Sequence, residues 1–242
     1  MLELYHSPIS TCSQKARMVL AEKVLDWTPR HIQFNQGDHL SDWYLKLNPN
    51  GVVPTLVHDG KVVTDSTVIN EYLDEVFAAT PLMPSDAHGR ARMRTWRQYI
   101  DEVPTPSIRV PSFNAYFVPI WRDMSDAQFF DYTGRLPLRK HFYRKMGRGG
   151  FSKQEVDAAL NRLDQTLARM EASLAETAWI ASDQFTLADV SVMPTVVRME
   201  DLGLAHLWAA RPRVADWYRR LQARPAFGVT YMPGSRDLGP SC

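Results

Sequence analysis

At 242 residues, with 45% hydrophobic and 23% charged side chains, the chain has the composition of an ordinary globular protein and the length for one large domain or two modest ones. A formal net charge of +1 excludes a general attraction to nucleic acid or to an anionic membrane surface, and no apolar run reaches the ~18 residues that a membrane span requires. Two cysteines, Cys12 and Cys242, are too few for a disulfide framework, and seven histidines without paired-ligand spacing argue against a dedicated metal site.

The opening MLELYHSP lacks the basic start and apolar stretch of a secretion signal, which makes a reducing cytoplasm the expected location. Leu2 to Tyr5 predicts a short strand. Ala16, Val19 and Leu20 then fall at helix period, and Ser10, Thr11 and Ser13 are all able to cap the helix they imply. Trp27 to Phe34 predicts a second strand and Ser41 to Leu47 a short helix. The stretch Asn48 to Ser66, NPNGVVPTLVHDGKVVTDS, turns at Gly51, enters a strand through Pro54 and reverses at His58-Asp59-Gly60. It returns through Lys61 to Thr64. Pro54 has no N–H to donate and belongs at the strand entrance, where its bond to Val53 is a candidate for cis. A cis bond there turns the Val53 N–H and C=O outward, toward any extended peptide. Thr67 to Phe77 is an amphipathic helix with Ser66 as its cap. The order β-α-β-α-β-β-α predicts a small α/β sheet domain over residues 1–79.

Residues 80–86 are a Pro-rich linker, and beyond them the patterns are helical only, so residues 87–230 are expected to form an all-α domain. Arg90 to Ile100 is one helix, interrupted by Pro104 and Pro106. Leu160, Leu163, Leu167, Met170 and Leu174 form a core-facing stripe. Thr186-Leu187-Ala188-Asp189 opens a buried helix with a capping-box pattern, bent at Pro194, and Pro212 begins another. Between Pro104 and Phe151 the helical pattern breaks under repeated prolines while aromatics accumulate, which suits a segment that covers something. Within it, Arg135 to Gly150 holds six Lys/Arg and no acid with aromatics between; it is expected to be a solvated loop and helix face, the alternative being a surface for an anionic substrate or nucleic acid. Residues 231–242, rich in Gly, Pro and Ser, predict a flexible tail.

Two places have the right chemistry for a site. The helix start at Ser10 to Ser13 offers unpaired N–H groups and a positive dipole end, and a hydroxyl there can hold a thiolate ionised. Cys12 in the same place is itself a candidate thiolate. The alternative is that the serines only cap the helix and Cys12 is a small core residue. At the other place, Asp65-Ser66 closes the hairpin and opens a helix, where an amino group and a carboxylate can both be held. Read without Ser10 to Ser13, it is a hairpin of any α/β domain.

Ser10-Thr11-Cys12-Ser13 with Arg17, then Asn-Pro-x-Gly-x-Val-Pro-Thr-Leu, then Asp-Ser, then a helical half opened by Thr-Leu-Ala-Asp, together resemble the cytosolic glutathione transferase superfamily over essentially the whole chain. The resemblance implies a thioredoxin-like N-terminal domain that binds glutathione and a helical C-terminal domain that supplies the second-substrate pocket. It places the family's cis-proline on Pro54, with Val53 pairing with the cysteinyl unit. It places the γ-glutamyl contacts on Asp65 and Ser66, and a polar residue facing glutathione on His39. The thiol-activating position falls on Ser10 or, by other alignments, on Ser13. Tyr5 lies inside the first strand, unlike the catalytic residue of tyrosine-type members, and is expected to be structural.

SDWYLKLNPNGVVPTLVHDGKVVTDSTVINEYLDEVF, together with the patterns around GGFSKQEVDAALNRL and TAWIASDQFTLAD, is similar to bacterial glutathione-dependent β-etherases. That likeness implies displacement of a phenolate from lignin-derived aryl-ether ketones by glutathione thiolate. Ser10 or Ser13 would donate to the sulfur, and Tyr116, Phe117 and Trp121 are candidates for an aromatic wall. Core packing is the alternative for each of the three. Cys12 supports a rival, a thiol transferase or reductase; a dehalogenase, an isomerase and a non-catalytic binding module are further alternatives. The family also implies a dimer, homo- or heteromeric, with glutathione and a hydrophobic aromatic small molecule as partners and no metal.

Overall fold

A computed structural model describes residues 1–238. Four strands form one mixed sheet: β1 (Leu2–His6), β2 (Thr28–His31), β3 (Thr55–His58) and β4 (Lys61–Thr64), in the order β2-β1-β3-β4. β1 runs parallel to β2 and antiparallel to β3, with Leu4 opposite Leu56, and β3 pairs antiparallel with β4. The crossover from β1 to β2 is α1 (Thr11–Glu22), and α3 (Ser66–Val76) follows β4. The second strand is shorter than Trp27 to Phe34. After His31 the chain takes two 3-10 turns, Phe34–Gln36 and Asp38–Leu40, hinged at Gly37 in the left-handed region, and then α2 (Asp42–Leu47). The thioredoxin-like unit is thus sheet plus α1 and α3, and everything from α4 (Ala87–Glu102) onward is helical.

The largest departure from expectation lies between Pro104 and Phe151. It is a continuous 18-residue helix, α5 (Pro104–Trp121), followed by α6 (Asp126–Gly134) and α7 (Lys140–Met146). Pro104 and Pro106 occupy its first turn, where a missing N–H costs nothing. Pro111 and Pro119 sit in its interior and give up two intrahelical bonds. Packing compensates: α5 lies along α8 (Lys153–Ser173) and against α4 and α9 (Leu187–Asp201), with Ile108, Val110, Tyr116, Phe117 and Trp121 buried. Three basic residues nearby pair with acids, Lys145 with Glu155 at 3.1 Å, Arg148 with Asp126 at 2.6 Å and Arg135 with Asp131 at 3.6 Å. No helix among the described residues is long and apolar enough to cross a membrane.

One core joins sheet and helices, from Leu4, Leu20 and Leu56 through Ile69 and Met93 to Val190 and Trp217. α1 stands at its centre, packed against α3 on one side and against α9 and α11 (Pro225–Thr230) on the other. Two expectations need correcting. The cap of α3 is Asp65, not Ser66: its carboxylate accepts from the N–H groups of Thr67 (2.8 Å) and Val68 (3.2 Å). The tail is tied down over its described part, because Gln14 donates to the Ser235 carbonyl at 2.9 Å and Arg17 to the Ser235 hydroxyl at 3.2 Å. Arg236 reaches Asp201 and Glu200 at 2.6 Å. The rest of that tail, including Cys242, lies outside the described residues.

Candidate active site

The first turn of α1 forms one wall of a cavity open to solvent, lined there by Ser10, Thr11 and Cys12. Ser10 has the extended backbone of an N-cap, and its hydroxyl oxygen accepts from the Ser13 N–H at 3.2 Å. That bond uses a lone pair and leaves the Ser10 proton free, since no described residue accepts it. Ser13 is fully buried behind the turn, accepts from the Ser7 N–H at 3.4 Å and does not line the cavity. No acidic side chain sits in this first turn, so the remaining N–H groups and the dipole end act on whatever occupies the cavity. Cys12 is a free, partly exposed thiol on the same rim.

The second wall is backbone. Gly51 turns the chain at φ 59°, Val52 and Val53 follow it along the cavity, and the Val53–Pro54 bond is cis. The Val52 carbonyl is occupied by the Tyr44 hydroxyl (2.7 Å) and the Asn48 amide (2.8 Å). The Val53 N–H and C=O make no hydrogen bond to any described residue. Pro54 is buried behind Val53, and Asp65 and Ser66 stand at the start of α3; none of the three lines the cavity. His39 does line it, 4% exposed and edge-on to Phe34 at 5.0 Å between ring centres. Its Nδ1 has no partner, and burial, with a smaller push from Arg135, holds its pKa down to about 4, so it is neutral at pH 7.

The third wall is the face of α5 turned toward α1. Phe113, Tyr116 and Phe117 stand at helix spacing along it, joined by Tyr132 from α6 and Tyr143 from α7. Phe113 stacks on Tyr143 and Phe117 on Trp121, with ring centres 5.6 and 4.7 Å apart. Tyr116 and Phe117 therefore face the cavity as expected of an aromatic wall, while Trp121 does not. Trp121 is 2% exposed and borders a neighbouring cleft with Ile120 and Met124. Lining residues that were not site candidates in the sequence include Thr105, Arg109, Ser112 and Arg198, with Arg139 and Tyr143 drawn from the basic, aromatic segment. Thr105, Arg109, Ser112 and Tyr116 follow one helical stripe, a signal present in the sequence once α5 is allowed to run through Pro111. Arg198 braces the site from α9, donating to the Ile9 carbonyl at 2.7 Å.

Comparison with known proteins agrees with this architecture. The family models described as glutathione S-transferase N-terminal domain and C-terminal domain match residues 4–81 and 153–220. Protein LigF of Sphingobium sp. (strain NBRC 103272 / SYK-6) is 29% identical over 98% of this chain and 95% of its own length. The crystal structure of beta-etherase LigF superposes with a TM-score of 0.86 at 30% identity, covering 95% of this chain and 98% of that one. A tetrachloro-p-hydroquinone reductive dehalogenase of Sphingobium chlorophenolicum is 25% identical over 93% of this chain and 94% of its own.

Proposed function

Because this chain belongs to the glutathione S-transferase family, we propose that it acts on aryl-ether ketones as a β-etherase, glutathione thiolate displacing a phenolate. The observation that carries the reading is the meeting, in one cavity, of the unused Ser10 proton, the unpaired Val53 backbone and an aromatic wall. Glutathione lies extended along Val53, its γ-glutamyl end toward Asp65 and Ser66 and its sulfur at the start of α1. The Ser10 hydroxyl donates to the sulfur, and the helix field favours the thiolate over the thiol. The thiolate attacks the carbon next to the ketone. A C–S bond forms as the C–O bond breaks, the ether electron pair leaves with the phenolate oxygen, and that oxygen takes its proton from water. Phe113, Tyr116 and Phe117 hold the rings so that sulfur and carbon are aligned. His39, neutral, offers glutathione a hydrogen bond rather than a charge. By family likeness the enzyme is taken to be a cytoplasmic dimer.

Incubating the protein with glutathione and a β-aryl-ether ketone tests this: phenol and glutathione thioether are expected in equal amounts. No phenol, alongside turnover of halogenated aromatics or disulfides, overturns it. A second reading, thiol exchange at Cys12, is favoured by the place of Cys12 on the cavity rim. Cys12→Ser and Ser10→Ala separate the two, since loss with Cys12→Ser alone selects thiol exchange. Glutathione binding without turnover of any of these electrophiles selects a binding module instead.

A further inference from the structure

Cations drawn out of solvent elsewhere in this protein are bonded, Arg17 to the Ser7, Pro8 and Thr230 carbonyls. Lys15 meets Asp101 at 2.8 Å, Lys23 meets Asp74 at 2.6 Å, and Arg224 meets Glu22 at 2.6 Å. Arg198, in the cavity lining, is spent on the Ile9 carbonyl and on Asp201, 3.6 Å away. Arg109 and Arg139 break the pattern. Both line the cavity, and neither makes a hydrogen bond or an ion pair with any described residue. The Arg109 guanidinium stands over the Phe142 ring, 6.0 Å from its centre. The two guanidiniums are close enough to repel, for burial and then Arg139 lower the Arg109 pKa to about 10. No Asp or Glu lines the cavity among the described residues. One turn before Arg109 on the same stripe, Thr105 is 8% exposed, and its buried hydroxyl also lacks a partner.

Two partly desolvated cations and an orphaned hydroxyl facing one space are a cost that a ligand anion removes. Their position says which ligand. Arg109 and Thr105 stand on α5 and Arg139 directly before α7, the elements that carry the cavity's aromatic rings. We propose that Arg109, Arg139 and Thr105 form a carboxylate-binding subsite, so that the electrophile this enzyme takes is an aromatic ether carrying a carboxylate. The assignment rests on the reading of this cavity as the second-substrate chamber. A planar carboxylate suits guanidinium donors, and the flanking rings of Phe113 and Tyr143 take the arene to which it is attached. A neutral arene in the same place would leave both cations unpaired.

The test is a binding measurement that needs no turnover. Full-length protein saturated with unreactive S-methylglutathione is titrated calorimetrically with 4-phenoxybenzoate and with its methyl ester. A charge-assisted pair predicts roughly tenfold or greater preference for the acid. That preference is expected to fall toward unity in Arg109→Gln and Arg139→Gln and to survive in Arg109→Lys. S-Methylglutathione affinity is expected to stay within about twofold throughout. Arg139 is half-exposed, so its variant carries the test even if Arg109→Gln does not fold. Equal affinity for acid and ester, or a preference that survives both glutamine variants, overturns the proposal. So does a fall in S-methylglutathione affinity with the preference intact, which assigns the arginines to glutathione's own carboxylate. Failure of ether cleavage, by contrast, removes the proposed reaction and leaves this measurement standing.

Discussion

α1 and α9 both begin with a hydroxyl cap, and the two starts are built for opposite ends. At α9, Thr186 caps the helix and Asp189, three residues on, reaches back to the Thr186 N–H at 3.0 Å. The same carboxylate accepts from the Ile180 N–H (3.1 Å) and the Trp217 indole (2.8 Å), all fully buried. At α1 the corresponding pair is Ser10 and Ser13. Ser13 brings no charge, so the helix end stays electropositive and opens on a cavity. One carboxylate makes the difference between a start that seals a core and a start that acts on a ligand.

Asp189→Ala is the strongest way to break the comparison. It leaves several buried donors without an acceptor, and a loss of about 4 kcal/mol in urea unfolding is expected. A loss under 1 kcal/mol would mean that the α9 start is not the seal described. Acid is next. Burial holds His6 down to about 3, helped by Arg17 and His31, and His39 down to about 4, both below the ordinary 6.5. A histidine whose folded pKa is depressed stays neutral while the unfolded chain takes up its proton, so stability is full above about pH 6.5 and is lost as pH falls. Each histidine accounts for about 1.4 kcal/mol at pH 5.5, and urea midpoints at pH 7.5 and 5.5 should register a loss of about 3 kcal/mol in all. His39→Gln halves that response if the open cavity holds its share, while an unchanged response assigns all of it to the sealed side.

Ser10→Ala is expected to lower kcat for ether cleavage roughly 100-fold. It costs about 1 kcal/mol in stability through the lost cap. Equal losses in kcat and stability, on a kcal/mol scale, would reduce Ser10 to a cap. The smallest effect is that of Ser13→Ala: about 1 kcal/mol of stability, with kcat within about twofold. A large drop in kcat there would reopen the choice between the two serines.

Features legible in the sequence were those written in local spacing. Thr186-x-x-Asp189, the Gly51–Pro54 turn and the helix period of α1 and α8 each occupy a few neighbouring residues, and each stands where expected. α5 was illegible because Pro111 and Pro119 are ordinarily read as stops, and only packing against α8 and α9 keeps the helix whole. With α5 hidden, its face was hidden too, so Arg109 and Thr105 went unnoticed and the choice for Trp121 between aromatic wall and core packing stayed open. The neutral state of His39 depends on burial under Phe34, which no motif records. Asp65 took the cap expected of Ser66 because its carboxylate reaches two N–H groups at once. The tail's composition predicts looseness, but Ser235 finds its partners 221 and 218 residues away.

Those distant partners also set an order of events during synthesis. Arg17 is 1% exposed, and its guanidinium bonds the Ser7 and Pro8 carbonyls from its own end of the chain and Thr230 and Ser235 from the other. A nascent chain that has emerged only through α3 holds half of those acceptors and none of the α9 and α11 surface against which α1 packs. The thioredoxin-like half precedes the helical half in the chain, yet the bonds of its central helix are complete only when residues 225–235 are present.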